Sequence, residues 1–230
     1  MRYGFCFLLF SALFVWQAYT YGSWAWILLW PAASCGWAGL AYLAVGPKAF
    51  GKRPDGALAW WSVAVLFPLL LYMWTLWHVL VWVSRENAVD LLQPGVYMGR
   101  RLRGHEVPSG VTLIVDLTSE FFELATVREG RTYRAYPMLD ASACSPVALI
   151  EIAQTMCQHQ GGILVHCAQG HGRTGLICAV YLLVQGSATC AADALQQVQA
   201  KRLGIRLNSA QRLALESTAQ LHRTTFDIRN

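Results

Sequence analysis

Ten consecutive residues carry the most distinctive chemistry in the chain: His166-Cys167-Ala168-Gln169-Gly170-His171-Gly172-Arg173-Thr174-Gly175. Five residues separate Cys167 from Arg173, giving the pattern H-C-x5-R-T. A loop that leads from a buried strand into a helix start aims successive backbone N–H groups at one point, and the helix dipole adds positive potential there. Gly170 and Gly172 let such a backbone curl and approach a ligand closely. Ala168, Gln169, Gly170, His171, Gly172 and Arg173 are therefore expected to line a bound anion. A cysteine at the floor of this nest is favoured as thiolate, the nucleophilic form. Arg173 can grip two phosphoryl oxygens with its planar fork and stabilise charge that develops on them during transfer. A buried cysteine after a strand is ordinarily a small core residue. Cysteine, two glycines, arginine and threonine at this spacing point instead to an anion cradle with a nucleophile at its base.

Elements of the right kind flank the motif. Ile163-Leu164-Val165 reads as a strand entering it, and a helix is expected near Arg173–Gln185 leaving it. Upstream, Leu91–Met98 reads as a strand interrupted by Pro94-Gly95, Val111–Leu117 as a buried strand, Ser119–Val127 as a short helix and Thr132–Pro137 as a further strand. Ser145-Pro146 starts a helix with a good cap and a proline in its first turn. That helix runs to about His159, where Gly161-Gly162 ends it. Two more helices are expected near Thr189–Arg202 and Ser209–Arg223. Alternating strands and helices argue for an α/β layer with a central sheet flanked by helices.

The first third of the chain is written for a different solvent. All ten tryptophans lie between Trp16 and Trp82, and only Arg2, Lys48, Lys52, Arg53 and Asp55 carry charge before Arg85. The uncharged run from Tyr3 to Pro47 is long enough for two membrane helices of about 20 residues each. A break at Tyr21-Gly22-Ser23 divides it into spans near 5–20 and 24–45, and a third covers 57–83. Tryptophans near the expected ends suit interfacial positions. Arg2 alone flanks the first span and no clean small-x-small site follows it, so a cleaved signal sequence is a poor fit. Residues 1–84 are thus read as a transmembrane region and 85–230 as a water-facing domain. Basic residues tie at four on each side of the bilayer, so charge leaves the orientation open. The mild positive balance after Arg85, without a basic-aromatic stripe, argues against nucleic acid. Seven cysteines without CxxC spacing argue against a disulfide framework or a zinc site and fit a reducing compartment.

HCAQGHGRTG resembles the signature loop of the protein tyrosine phosphatase superfamily, and the order of elements over about 89–225 is similar to its compact dual-specificity branch. The resemblance implies a phosphomonoester hydrolase in which Cys167 attacks phosphorus to form a phosphocysteine and Arg173 binds the phosphoryl oxygens. Thr174 would stabilise the thiolate as leaving group in the second step, and His166 would tune the cysteine through the loop's hydrogen bonds. No metal or other cofactor is implied. The family also uses an upstream aspartic acid as general acid. Asp140 is the candidate, because it follows a strand and precedes the capped helix, although no W-P-D tripeptide surrounds it. Asp116, at the end of the VTLIVDL strand, is its rival.

The substrate class stays open at this point, between a phosphorylated protein and a phosphorylated lipid of the bilayer. The branch favours protein, the membrane spans favour lipid, and the absence of lysine from the signature loop argues against a highly phosphorylated headgroup. Two other classes are rivals. Rhodanese-like sulfur transfer also seats a cysteine in an anion cradle, but His166 and the spacing to Arg173-Thr174 disfavour it. A phosphate-binding module without turnover is disfavoured by intact Cys167, Arg173 and Thr174. Cys144 could pair with Cys167 under oxidation or be an ordinary loop cysteine. His171 could meet a headgroup at the rim or occupy a tolerant position. Arg100, Arg101 and Arg103 could face lipid phosphates or form a solvated turn. A thiolate survives best where thiols are kept reduced, so the catalytic domain is expected in the cytoplasm.

Overall fold

Leucine and β-branched residues are densest in Val111–Thr118 and Gly162–Cys167, the most buried of the five strands of the sheet. The five are β1 (Val89–Gln93), β2 (Val96–Arg100), β3 (Val111–Thr118), β4 (Thr132–Met138) and β5 (Gly162–Cys167), joined in the order β1-β2-β5-β3-β4. β1 is antiparallel to β2 and the remaining pairings are parallel. The stretch expected as one interrupted strand is thus a hairpin: Gly95 adopts φ 81, and the chain reverses at Pro94-Gly95. Every residue of the central β5 is buried, as expected of a parallel strand covered on both faces.

The parallel register brings the strand ends to one edge. Arg100 pairs with Cys167, Asp116 with His166, and Thr118 with Met138. In open α/β sheets this carboxyl edge is where ligands bind. On one face Leu113, Val115, Leu117, Ile163, Val165 and Cys167 join a core completed by three helices. These are α5 (Pro146–Gln158), α6 (Gly172–Gln185) and α8 (Ser209–Asp227), with α7 (Ala191–Lys201) packed on α6. On the other face Val111, Ile114 and Leu164 pack with Leu102 and Val127. Ser145 caps α5 by accepting from the Ala148 amide, with Pro146 next to it in the first turn. The short helix expected over Ser119–Val127 is confined to α4 (Ala125–Arg128). Before it, the Glu120 carboxylate accepts from the amide and hydroxyl of Ser119, a local bond that competes with helix.

The structure, a computed structural model, describes residues 2–227. It divides into the unit just outlined, Arg85–Thr118 with Glu123 onward, and a second made of the residues up to Ser84 with Ser119–Phe122. The latter holds α1 (Arg2–Tyr21), α2 (Leu29–Leu40) and α3 (Trp60–Val83). Three helical stretches, Arg2–Tyr21, Ser23–Phe50 and Trp60–Val83, are long and apolar enough to cross a membrane. The middle one is irregular, with 3-10 turns at both ends and a π turn at Ala41–Val45. The third starts at Trp60 rather than residue 57, because Leu58 bridges to Lys52 in extended backbone. Helices approach through small residues: a Cβ on Gly39 would lie 2.8 Å from Leu8. Polar side chains bond backbone across helices, Ser11 to Ala32 O at 2.8 Å, Ser34 to Val65 O at 2.7 Å and Ser62 to Phe50 O at 2.6 Å. Ser119–Phe122 joins this unit through Trp74 Nε1, which donates to Glu120 O at 3.0 Å, and the edge-on pair of Trp74 and Phe122.

Candidate active site

Cys167 ends β5 and Gly172 begins α6, so Ala168–His171 is the loop between them. Three of its carbonyls are held from outside. Ala168 O accepts from the Arg101 amide at 3.2 Å, Gln169 O from Arg202 Nη2 at 3.3 Å and Gly170 O from Arg202 Nε at 3.0 Å. In a trans peptide the N–H points opposite to the C=O. Pinning these oxygens outward therefore turns the amides of Gln169, Gly170 and His171 the other way, which is how a backbone nest for an anion is built. Gly170 has φ 73, and a Cβ there would stand 2.4 Å from the Gly99 carbonyl carbon and 2.5 Å from the Arg100 nitrogen. No side chain fits where the loop crosses the end of β2. A Cβ on Gly172 would press on the Gln211 amide at 3.0 Å.

Arg173, in the first turn of α6, is buried. Its Nη1 donates to Met138 O at 2.9 Å and, at 3.4 Å, to Leu117 O, so the ends of β3 and β4 aim the guanidinium. Its Nη2 lies 3.4 Å from Asp140 Oδ1. Asp140 itself is 69% exposed, on the loop after β4. Ala141, next to it, adopts φ 55, a conformation that costs a non-glycine residue about 1 kcal/mol or more. Two residues at the start of α8 hold that loop: Asn208 Nδ2 donates to Ala141 O at 2.7 Å and Gln211 Nε2 to Ser142 O at 3.2 Å.

Asp116 has a different setting. It is fully buried, accepting from the Thr118 amide and hydroxyl on Oδ1 (2.8 and 2.7 Å) and from the Tyr133 hydroxyl on Oδ2 (2.6 Å). Burial, reinforced by that carboxylate, pushes the Tyr133 phenol far up, so it stays a donor. His166 lies in the same cluster, its Nε2 3.2 Å from Glu123 Oε2 with both side chains buried. One ligand-type atom from each of Asp116, Glu123 and His166 falls within 4.8 Å of the others. Of the three, His166 immediately precedes Cys167 in the chain.

The remaining candidates have definite places. The buried Thr174 hydroxyl points to Gly99 O at a long 3.4 Å. His171 Nε2 pairs with Glu86 Oε2 at 2.7 Å at the rim. Cys144 is a free thiol with its Sγ 3.7 Å from Met138 Sδ. Burial pushes the thiols of Cys144 and Cys178 up, the latter also through the neighbouring Cys167, which keeps both protonated and out of competition. Of the three clustered arginines, two are committed inside the domain and Arg103 is exposed. Arg100 forms a double contact with Glu106 (2.7 and 3.2 Å), Arg101 is buried, and the Arg103 amide donates to Glu106.

Arg202, Glu86, Asn208, Gln211 and Glu123 had no signal in the sequence pattern. Each acts across a long loop, Arg202 on a carbonyl 32 residues away, and local spacing does not report such contacts. The Gly204 that follows Arg202 was the one available hint, since it admits no Cβ beside His171 and Glu86.

Comparisons with known proteins bear on the fold. Tk-PTP in its active form superposes with a TM-score of 0.52 at 23% identity, covering 58% of this chain and 97% of its own. PTPMT1 in complex with PI(5)P gives 0.52 at 16% identity, covering 60% and 99%. A mouse dual specificity phosphatase complexed with zinc tungstate gives 0.52 at 17%, covering 62% and 93%. No curated protein matches the chain. At these identities the solved structures establish the fold, that of the dual-specificity phosphatases. The family model for the Swiss Army Knife protein PTP-SAK, a DSP-PTPase phosphatase domain, matches residues 105–225, just over half of the chain. The chain belongs to that family.

Proposed function

We propose that the chain is a membrane-anchored, cysteine-dependent phosphatase of phosphomonoesters, with residues 1–84 as anchor and 85–230 as catalytic domain. The observation that carries this reading is Arg173 held between the ends of β3 and β4 with Asp140 3.4 Å away, over a loop whose carbonyls are drawn outward around Cys167. In the first step the Cys167 thiolate forms an S–P bond as the P–O bond to the leaving group breaks. Asp140 gives its proton to the departing oxygen. In the second, Asp140 takes a proton from water, whose oxygen attacks phosphorus and releases the thiolate and inorganic phosphate. Arg173 and the amides of Gln169, Gly170 and His171 hold the equatorial oxygens throughout. Thr174 assists thiolate departure and His166 steadies the loop from behind.

The substrate is a phosphoprotein or a singly phosphorylated lipid at the membrane surface. Only a few residues separate Val83 from β1, a tether that spans at most about 3.5 Å per residue, so membrane-borne substrates are present at high effective concentration. The lipid alternative is favoured by PTPMT1, a fold neighbour crystallised with PI(5)P. The domain faces the cytoplasm, where a reactive thiolate persists. Full-length protein in detergent micelles, assayed with an aryl phosphate, tests the reaction. No phosphate release above that of Cys167→Ser would end the reading. A phosphotyrosine peptide and a phosphatidylglycerophosphate-type lipid in mixed micelles then choose the substrate. A carboxyl-terminal reporter active only outside the cytoplasm would reverse the orientation.

A further inference from the structure

One buried guanidinium links the signature loop to the stretch that follows the third apolar helix. Arg202, just beyond α7, is almost fully buried. Inward, it holds the Gln169 and Gly170 carbonyls described above. Outward, its Nη1 donates to Asn87 O at 2.9 Å and Asp90 Oδ2 at 2.6 Å, and its Nη2 lies 3.3 Å from Glu86 Oε2. The same Glu86 oxygen holds His171 of the loop at 2.7 Å. Glu86 therefore bridges two points that act on the loop, the arginine behind it and the histidine at its rim. Gly204 closes over this pair: a Cβ there would come within 2.5 Å of His171 Nε2 and 2.7 Å of Glu86 Oε1.

We propose that Glu86 and Asp90 are positioning residues of the anion cradle, acting through Arg202, so that the segment Glu86–Asp90 is a working part of the active site. The physical reason lies in the peptide units. The amides of Gly170 and His171 face the anion only while the carbonyls of Gln169 and Gly170 are held away from it, and Arg202 holds both. Arg202 keeps that orientation only while Glu86, Asp90 and the Asn87 carbonyl fix its far side. If those carbonyls swing inward, they present oxygens to an anion, and amides that stabilised charge become repulsive dipoles. Asp90 and Glu86 also neutralise a buried cation whose unpaired burial would be costly. Because this segment continues directly from α3 in the chain, its position sets the cradle's affinity for phosphate. The proposal rests on the phosphatase reading for its meaning, but anion affinity measures it independently of turnover.

Tungstate binding and aryl phosphate turnover are measured on full-length protein in micelles for wild type, Glu86→Gln, Asp90→Asn, Arg202→Lys, Arg202→Gln and the double variant Asp90→Asn/Arg202→Gln. Glu86 is nearly half exposed, so its variant keeps the fold even if the arginine variants do not. Glu86→Gln and Asp90→Asn should each weaken tungstate about threefold to tenfold and lower kcat in parallel. Arg202→Gln should weaken it at least about thirtyfold, with Arg202→Lys recovering part of the loss. The double variant should be no worse than Arg202→Gln alone, because Asp90 reaches the loop through that arginine. Two results would overturn the clasp: tungstate affinity within twofold of wild type in Glu86→Gln and Asp90→Asn, or single losses that multiply in the double variant. A wild type that binds tungstate but releases no phosphate would remove the phosphatase reading, and the affinities would still judge the clasp.

Discussion

In the three-helix unit many of the largest side chains face outward while small ones are sealed within, although Trp77 and Phe50 are buried. Trp60 and Trp82 are more than four-fifths exposed, while Ala18, Ala32, Ala38, Ser34 and Ser62 are buried. In the sheet unit the order is the usual one, with leucine, isoleucine and valine inside and charge outside, except at the carboxyl edge of the sheet. There Asp116, Glu123, His166, Arg173 and Arg202 are all buried. The comparison separates two uses of polarity. The helices bury hydroxyls that satisfy backbone carbonyls of other segments. The sheet unit buries whole charges, which costs stability unless each is paired, and places them around one loop. In the sheet unit the buried ionic groups gather around the Cys167–Arg173 loop.

Breaking the sheet unit at its centre should have the largest effect. Cys167→Ser should cut turnover at least about a thousandfold while tungstate binding persists, since the amides and Arg173 supply the cradle. Residual turnover within tenfold of wild type would remove Cys167 from its role. Gly170→Ala should destabilise the domain by about 3 kcal/mol or more, because positive φ and the backbone of Gly99 and Arg100 leave no room for a methyl group. A thermal midpoint unchanged from wild type would contradict the packing described here. Asp140→Asn should slow substrates with poor leaving groups about a hundredfold, and activated aryl phosphates much less. Asp116→Asn, behind the sheet edge and committed to Thr118 and Tyr133, should act on stability rather than on leaving-group sensitivity.

The helix unit sharpens the contrast. Gly39→Leu should disturb the close approach of α1 and α2 at about 1–3 kcal/mol, lowering the detergent-resistance of the helices while aryl phosphate turnover stays within about twofold. A parallel loss of turnover would show that the units do not divide the labour as proposed. The smallest effect expected is at Glu106. Burial would push its carboxyl up, but the bonds from Arg100 and the Arg103 amide hold it below the ordinary range. The stabilisation is therefore complete above the unfolded value of about 4.3 and is lost as pH falls through the lower folded value. Glu106→Gln should cost about 1 kcal/mol at neutral pH and nothing at the acid end, which denaturation at several pH values would read.

Much of the candidate site was legible in ten residues, because a cradle built from consecutive backbone amides leaves a local imprint: a cysteine, two glycines and an arginine at fixed spacing. The alternation of strands and helices likewise announced a central sheet flanked by helices. The two ionic networks were not legible. Glu123 reaches His166, and Arg202 reaches Gln169 and Gly170, only because the register brings distant segments to one edge. The places of Arg100 and Arg101 were hidden for the same reason. As a string they look like a surface patch, yet Arg101 is buried and Arg100 is paired with Glu106. The hairpin at Pro94-Gly95 was hidden differently, since a two-residue reversal and an interrupted strand have the same composition.

The most direct test of the central claim is to trap the intermediate. Full-length Asp140→Asn in micelles, mixed rapidly with an activated aryl phosphate and quenched in acid, should show a burst of one leaving group per active site. Mass analysis should place the phosphoryl adduct on the peptide containing Cys167, and the adduct should be absent when Cys167 is also changed to Ser. A linear release with no adduct, or an adduct on any other residue, would contradict the mechanism.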